Sequence, residues 1–163
     1  MNRMVILFAR NEIKDIIFGD KSITFRIWKK RRAKPGSLHK IGANRRGPYD
    51  GVIRILHVKR CKISDLTDDD IHMASLEDKS EVINLLSKMY GDDIDYDTEI
   101  WVIVFTLEGI IDEKWWPYLP YITHKHNKPI PILIDDYIEK VLSDTRKIIP
   151  KEAVDGNDAG TDA

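Results

Sequence analysis

Cysteine is nearly absent from this chain: Cys61 is the single one among 163 residues. No internal disulfide can form, and the composition suits a reducing compartment such as the cytoplasm. Cys61 itself reads as a small strand residue. Long apolar runs are missing too. No uninterrupted stretch approaches the roughly 18 residues that a membrane-spanning helix needs, and the first residues lack a secretory pattern. A cytoplasmic protein with no membrane partner is the expectation. Metal-ligand spacing is also poor. His124-x-His126 has no third ligand nearby, so neither a metal nor another cofactor is expected.

Acidic residues are scarce in one half only. Residues 1–60 hold 16 Lys and Arg against 4 Asp and Glu, a balance of +12. Residues 61–163 hold 10 against 23, a balance of −13, so the formal net charge of −1 conceals a division. A half this basic is the composition of a surface that meets a polyanion, because each phosphate neutralised releases a counterion. Attraction between the two halves inside one domain is the other account of the same asymmetry.

Apolar periodicity divides the chain into short elements. Residues 5–8 read as a strand, and Asn11 as the N-cap of a helix with Ile13, Ile16 and Ile17 on one face and Gly19 as its stop. Residues 22–28 alternate as a strand whose tip carries Lys29, Lys30, Arg31 and Arg32. Pro35-Gly36 then turns the chain into a short strand over 37–41. Residues 42–49, with two glycines, a proline and Arg45-Arg46, read as a loop. A buried strand over 51–61 is followed by a short helix capped by Thr67, a second helix over 80–90 and an apolar strand over 99–107.

Strands outnumber helices without strict alternation, which predicts an α+β fold with a mostly antiparallel, barrel-like sheet. A domain over 1–108, an extension packed on it over 109–149 with a helix after Asp135, and a flexible tail over 150–163 complete the division. The run from Trp115 to Tyr121 (Trp-Trp-Pro-Tyr-Leu-Pro-Tyr) is too aromatic and proline-rich for an ordinary helix or central strand. It either packs the extension onto the domain or offers an aromatic patch to a protein partner or a second copy.

The site-like stretch is 18–34. Strand alternation sends Thr24 and Arg26 to one face and Ile23 and Phe25 to the other, with Lys21 in the turn before them. An amine, a hydroxyl and a guanidinium then meet at the wall of an open, positively charged cleft. Lys29, Lys30, Arg31, Arg32 and Lys34 on one loop, and Arg45 and Arg46 on another, would flank it as phosphate contacts. Trp28 would stack on an exposed base. The same residues admit a second chemistry: a desolvated lysine takes the proton of a threonine nucleophile, and a carboxylate serves the leaving amine.

The order of these motifs resembles a known family. Gly19-x-Lys21-x-x-Thr24-x-Arg26, Pro35-Gly36-Ser37, the strand over 51–58, Leu66-Thr67-x-Asp69-Asp70, the helix ending in Tyr90 and the strand over 99–107 are similar to the ASCH domain. That family is named for activating signal cointegrator homology, and its fold is similar to the PUA RNA-binding domain. The resemblance covers about residues 4–108. It implies a small PUA-like β-barrel with short helices beside a cleft lined by 21–26, and binding of RNA, other single-stranded nucleic acid or a nucleotide. Some bacterial single-domain members look like amidohydrolases acting on N4-acylated cytidine with a lysine, a threonine and a glutamate. Lys21 and Thr24 match the first two. Counting back from Tyr90 places the glutamate at Ala74 or Ser75, so Glu77 would complete the set only with a shift of its loop.

Overall fold

The computed structural model describes residues 5–134. Its elements run β1 (Val5–Leu7), α1 (Arg10–Ile17), β2 (Ile23–Arg26), β3 (Leu38–Gly42), β4 (Gly51–Lys62), α2 (Asp68–Met73), α3 (Lys79–Tyr90), β5 (Glu99–Ile110) and α4 (Leu119–His126). Short 3₁₀ turns over Ile63–Asp65 and Glu113–Tyr118 lead into α2 and α4.

β4 and β5 form the spine. Both are rich in β-branched and aromatic residues, which suits a pleated surface buried on both faces. They pair antiparallel from Gly51↔Ile110 to Lys62↔Glu99, with register shifts at Val52/Ile53 and Ile55/His57 that bend the ribbon. β3 pairs antiparallel with β4 and β2 with β5, while β1 lies parallel to β3. The strand order is β1-β3-β4-β5-β2. The fold is α+β with a mixed, mostly antiparallel sheet.

The expected closed barrel is not formed: among the described residues no ladder joins the edge strands β1 and β2. These strands are three and four residues long, too short to offer matching rows of donors and acceptors. A side chain spans the seam instead. Arg26 Nη2 donates to the Leu7 carbonyl at 2.8 Å, and its guanidinium lies 4.8 Å from the centre of the Phe8 ring.

The sheet buries a core on each face. Ile16, Ile17, Ile41, Ile53 and Phe105 pack with Ile122 and Ile130 on one side, under α1 and α4. Ile23, Phe25, Ile71, Val82, Leu86 and Ile100 pack on the other, under α2 and α3. Alternation along β2 is therefore real, with Ile23 and Phe25 facing the second core and Arg26 facing Phe8. β5 continues past residue 108 to Ile110, where the Ile110 N–H donates to Pro131 O and Leu133 N–H to Ile110 O. The helix expected after Asp135 and the tail over 150–163 lie outside the described residues.

Two local readings need correction. α1 is capped at Ala9, not Asn11, because the Glu12 carboxylate reaches back to the Ala9 N–H at 3.1 Å. The aromatic run from 115 to 121 is helical. Pro117 lies inside the 3₁₀ turn and Pro120 in the first turn of α4, where a missing N–H breaks no bond. The cap of α2 does follow its sequence: Thr67 Oγ1 accepts from the Asp70 N–H at 3.1 Å and Asp70 accepts from the Thr67 N–H at 3.3 Å. No helix among the described residues is long and apolar enough to cross a membrane.

Candidate functional site

Lys21 follows the glycine stop of α1, where Gly19 has φ +83°. The turn brings its ammonium under the C-terminal end of α2, and Nζ donates to the Ala74 carbonyl at 3.1 Å. A cation at that end complements both the orphan carbonyls and the helix dipole. Ala74, one of the two positions reached by counting back from Tyr90, thus meets Lys21 through its backbone oxygen. The carboxylate at hand comes from the other direction. Glu12 Oε2 lies 3.6 Å from Nζ while Oε1 holds the Ala9 N–H, so the capping bond fixes the acid beside the amine. Glu77 is exposed at the turn before α3, and its N–H donates to the Glu81 side chain.

Arg26 Nε donates to Thr24 Oγ1 at 3.3 Å, which ties the two polar residues of β2 together. Tyr90, at the end of α3 and 40% exposed, reaches the guanidinium from outside. Burial pulls the Lys21 pKa down from its ordinary value, with Glu12 opposing and Arg26 assisting. Burial also lowers Arg26, against Tyr90 and Glu12. Thr24 and Arg26 are therefore bonded, Arg26 lies close enough to Lys21 to act on its charge, and each of the three is less than a tenth exposed. The open pocket expected at these three side chains is instead a closed recess under Glu12 and Tyr90.

The two cationic loops behave differently. Leu7, which accepts from Arg26, is in register with Gly42, and Phe8 N–H donates to Gly42 O at 3.1 Å. The loop bearing Arg45 and Arg46 begins immediately after Gly42, and the basic segment 27–37 begins immediately after Arg26. Both loops leave the sheet from one corner. Three cations of β4 are neutralised across the charge division: Arg54 pairs with Glu108, Lys59 with Asp70 at 3.3 Å and Arg60 with Glu99 at 3.2 Å. Attraction between the halves accounts for those three. Among the described residues no carboxylate pairs with Lys29, Lys30, Arg32, Arg45 or Arg46, all of them exposed. Arg31 is half-buried and Lys34 exposed, and both have further interactions.

Trp28 is half-buried against the core and its carbonyl accepts from Trp101 Nε1 at 3.1 Å, so it serves the fold. The Trp115–Tyr121 run is organised around Phe18, whose ring meets Trp115, Tyr118 and Tyr121 edge-on at 5.6–5.8 Å. Trp116, Tyr118 and Tyr121 keep 38–53% of their surface exposed. His126 Nε2 lies 2.9 Å from the Ile17 carbonyl, a structural bond, and His124 is exposed. Glu12 and Tyr90 are the cluster residues that sequence reasoning did not assign. The Glu12 signal was its place three residues after the cap of α1, which only the cap geometry turns into proximity to Lys21.

No family model matches this sequence, and no curated protein matches it. Solved structures do. Protein EF3133 from Enterococcus faecalis V583, of the family DUF984, superposes with a TM-score of 0.53 at 13% identity, covering 65% of this chain and 80% of its own. The ASCH domain from Lactobacillus crispatus JV V101 gives a TM-score of 0.51 at 16% identity, covering 63% of this chain and 77% of its own. The hypothetical protein PH0355 gives 0.50 at 14% identity, covering 63% and 96%. The fold is that of ASCH-domain structures.

Proposed function

We propose that this chain, built on the ASCH-domain fold, binds single-stranded RNA along the corner from which its two cationic loops emerge. One observation carries the reading: Arg54, Lys59 and Arg60 of β4 are paired with the acidic half, whereas Lys29, Lys30, Arg32, Arg45 and Arg46 have no carboxylate among the described residues. Phosphates are the partners such a surface fits. Beneath it, Lys21 and Arg26 are two buried basic side chains, with the Glu12 carboxylate 3.6 Å from Lys21, and they add to the positive field at the corner.

Neutralising Lys29, Lys30, Arg31 and Arg32 together tests the reading. Each phosphate contact contributes about 0.7 to the salt slope on a single strand, so losing the three of Lys29, Lys30 and Arg32 lowers the slope by about 2. Fluorescence anisotropy with a labelled oligoribonucleotide, from 20 to 200 mM salt, measures it. Equal affinity of the two proteins at low salt would refute RNA binding through this loop.

A second reading rests on the Lys21 cluster: a small amide hydrolase that acts on an N4-acylated cytidine when the recess under Glu12 and Tyr90 opens to admit it. Its support is an amine whose burial favours the neutral form, with a carboxylate 3.6 Å away. In this scheme the Thr24 hydroxyl gives its proton to Lys21, Oγ1 attacks the acyl carbon and the C–N bond breaks. The leaving nitrogen takes that proton, and water then hydrolyses the ester. Glu12, not Glu77, is the carboxylate that would hold the lysine. Release of acetate from N4-acetylcytidine by the wild-type protein, lost in Lys21→Ala and Thr24→Ala, is the expected result. No release by the wild type ends the scheme.

A further inference from the structure

A groove of about 500 Å³ lies on the same side as the second basic loop, separate from the Lys21 recess. Lys40, Arg46, Tyr49, Asp112, Glu113 and Trp116 line it. Its volume is that of a site for a small organic ligand. Its walls are held in place from beneath. Asp50, with a side chain 5% exposed, accepts from Trp115 Nε1 at 2.9 Å and from Lys114 Nζ at 3.1 Å. The Asp50 carbonyl accepts from the N–H groups of Ile111 and Asp112, and its own N–H donates to Ile41 O at 2.8 Å. One buried aspartate therefore joins the loop carrying Arg46 and Tyr49 to the turn carrying Trp116.

The lining is chemically divided. Tyr49 is fixed by its hydroxyl, which donates to the Arg45 carbonyl, and by the Lys40 ammonium 5.1 Å from its ring centre. Trp116, 38% exposed, adds a second aromatic surface. Arg46 supplies a guanidinium with no carboxylate partner among the described residues. Asp112 is occupied, accepting from the Lys114 N–H at 3.0 Å, whereas the exposed Glu113 carboxylate has no ion pair among the described residues. Aromatic faces suit a flat base, a guanidinium suits its phosphate, and a carboxylate accepts from an exocyclic amine.

We infer that this groove is a binding site for one unpaired nucleotide whose base carries an exocyclic amine, so that cytosine, adenine or guanine is preferred to uracil. The inference rests on the RNA-binding reading for its strand context, since Arg46 belongs to one of the two loops invoked there. A free nucleotide would satisfy the same groups, so the test uses both sources.

Titration of the intact protein with CMP and UMP, followed at the Trp116 indole N–H by NMR, tests the groove directly. CMP shifts that resonance and UMP shifts it less. In parallel, hexacytidylate and hexauridylate RNAs are compared by anisotropy. Trp116→Ala and Arg46→Ala each weaken hexacytidylate binding about tenfold, and Glu113→Gln removes an about fivefold preference for cytosine. Urea melts of the variants check that the fold is intact. A Trp116 resonance unmoved by CMP and by both RNAs overturns the inference, as does undiminished binding in both alanine variants. Hexacytidylate binding much tighter than CMP identifies the strand as ligand, and equal affinities identify the free nucleotide. If neutralising Lys29–Arg32 leaves RNA binding unchanged while CMP still shifts Trp116, the groove stands and the broader reading falls.

Discussion

Replacing Arg26 by methionine isolates the side-chain bridge between β1 and β2. The bond from Nη2 to the Leu7 carbonyl is 2.8 Å long and charge-assisted, a class that contributes about 1.5–3 kcal/mol. The guanidinium over Phe8 adds roughly 0.5–1 kcal/mol. The 3.3 Å bond in which Thr24 Oγ1 accepts from Nε is long, so it adds little. Against these, methionine carries no charge to desolvate and relieves the repulsion with Lys21. The offset is about half of the gross loss, which leaves a net destabilisation of about 1–2 kcal/mol. With a urea m-value of about 2 kcal/mol/M, the midpoint falls by about 0.5–1 M. Arg26→Lys keeps the charge but not the planar fork, so it also loses stability. Equilibrium unfolding followed by tryptophan fluorescence measures both variants. A methionine variant as stable as the wild type would refute the bridge, and the seam would have to be closed by packing alone.

Two further outcomes follow from the same coordinates. Burial holds the His126 pKa below 6.5, so the imidazole is neutral in the fold and the unfolded chain takes up its proton first. The contribution of His126 is complete above pH 6.5 and declines as pH falls below that value. The urea midpoint should therefore drop more between pH 7.5 and 5.5 in the wild type than in His126→Gln. A Cβ at Gly51 would lie 2.6 Å from the Gly109 carbonyl oxygen, backbone against backbone, so Gly51→Ala must prise β4 from β5. Thermal melting should record a loss of about 1–3 kcal/mol, and an unchanged Tm would show that the pair has slack.

What the sequence disclosed depended on how local the cause was. β4, β5, α3 and the Thr67 cap follow from runs of apolar residues and from a cap that closes within three positions, so they were readable one segment at a time. Clustering of Lys21, Thr24 and Arg26 was also readable, because two lie on one face of a short strand and the third in the turn before it. Their closure from solvent was not. It depends on Glu12 and Tyr90 arriving from helices far apart in the chain. The open seam was hidden for a similar reason, since alternation in β1 and β2 gives their faces but not whether their edges meet. The helical turns from 113 to 126 defeated composition because Pro120 falls in the first turn of α4, where helices tolerate proline, and Pro117 sits inside a single short 3₁₀ turn. Tyr49 and Trp116 carried no periodic signal at all, and their segments are brought together by the Gly51↔Ile110 end of the β4–β5 ladder and by the hydrogen bonds of Asp50.

The pairing of strand cations with the acidic half has a consequence for the order of synthesis. Arg54 and Arg60 leave the ribosome well before Glu108 and Glu99, the carboxylates that neutralise them in the finished sheet. A growing chain that has exposed β4 but not β5 carries the whole positive excess of its first sixty residues, beside a surface made of RNA. Completion of β5 brings Glu108 and Glu99 to Arg54 and Arg60 and lowers that excess while the two loops keep their charge, so one act of strand pairing both builds the core and narrows where the protein can hold a polyanion.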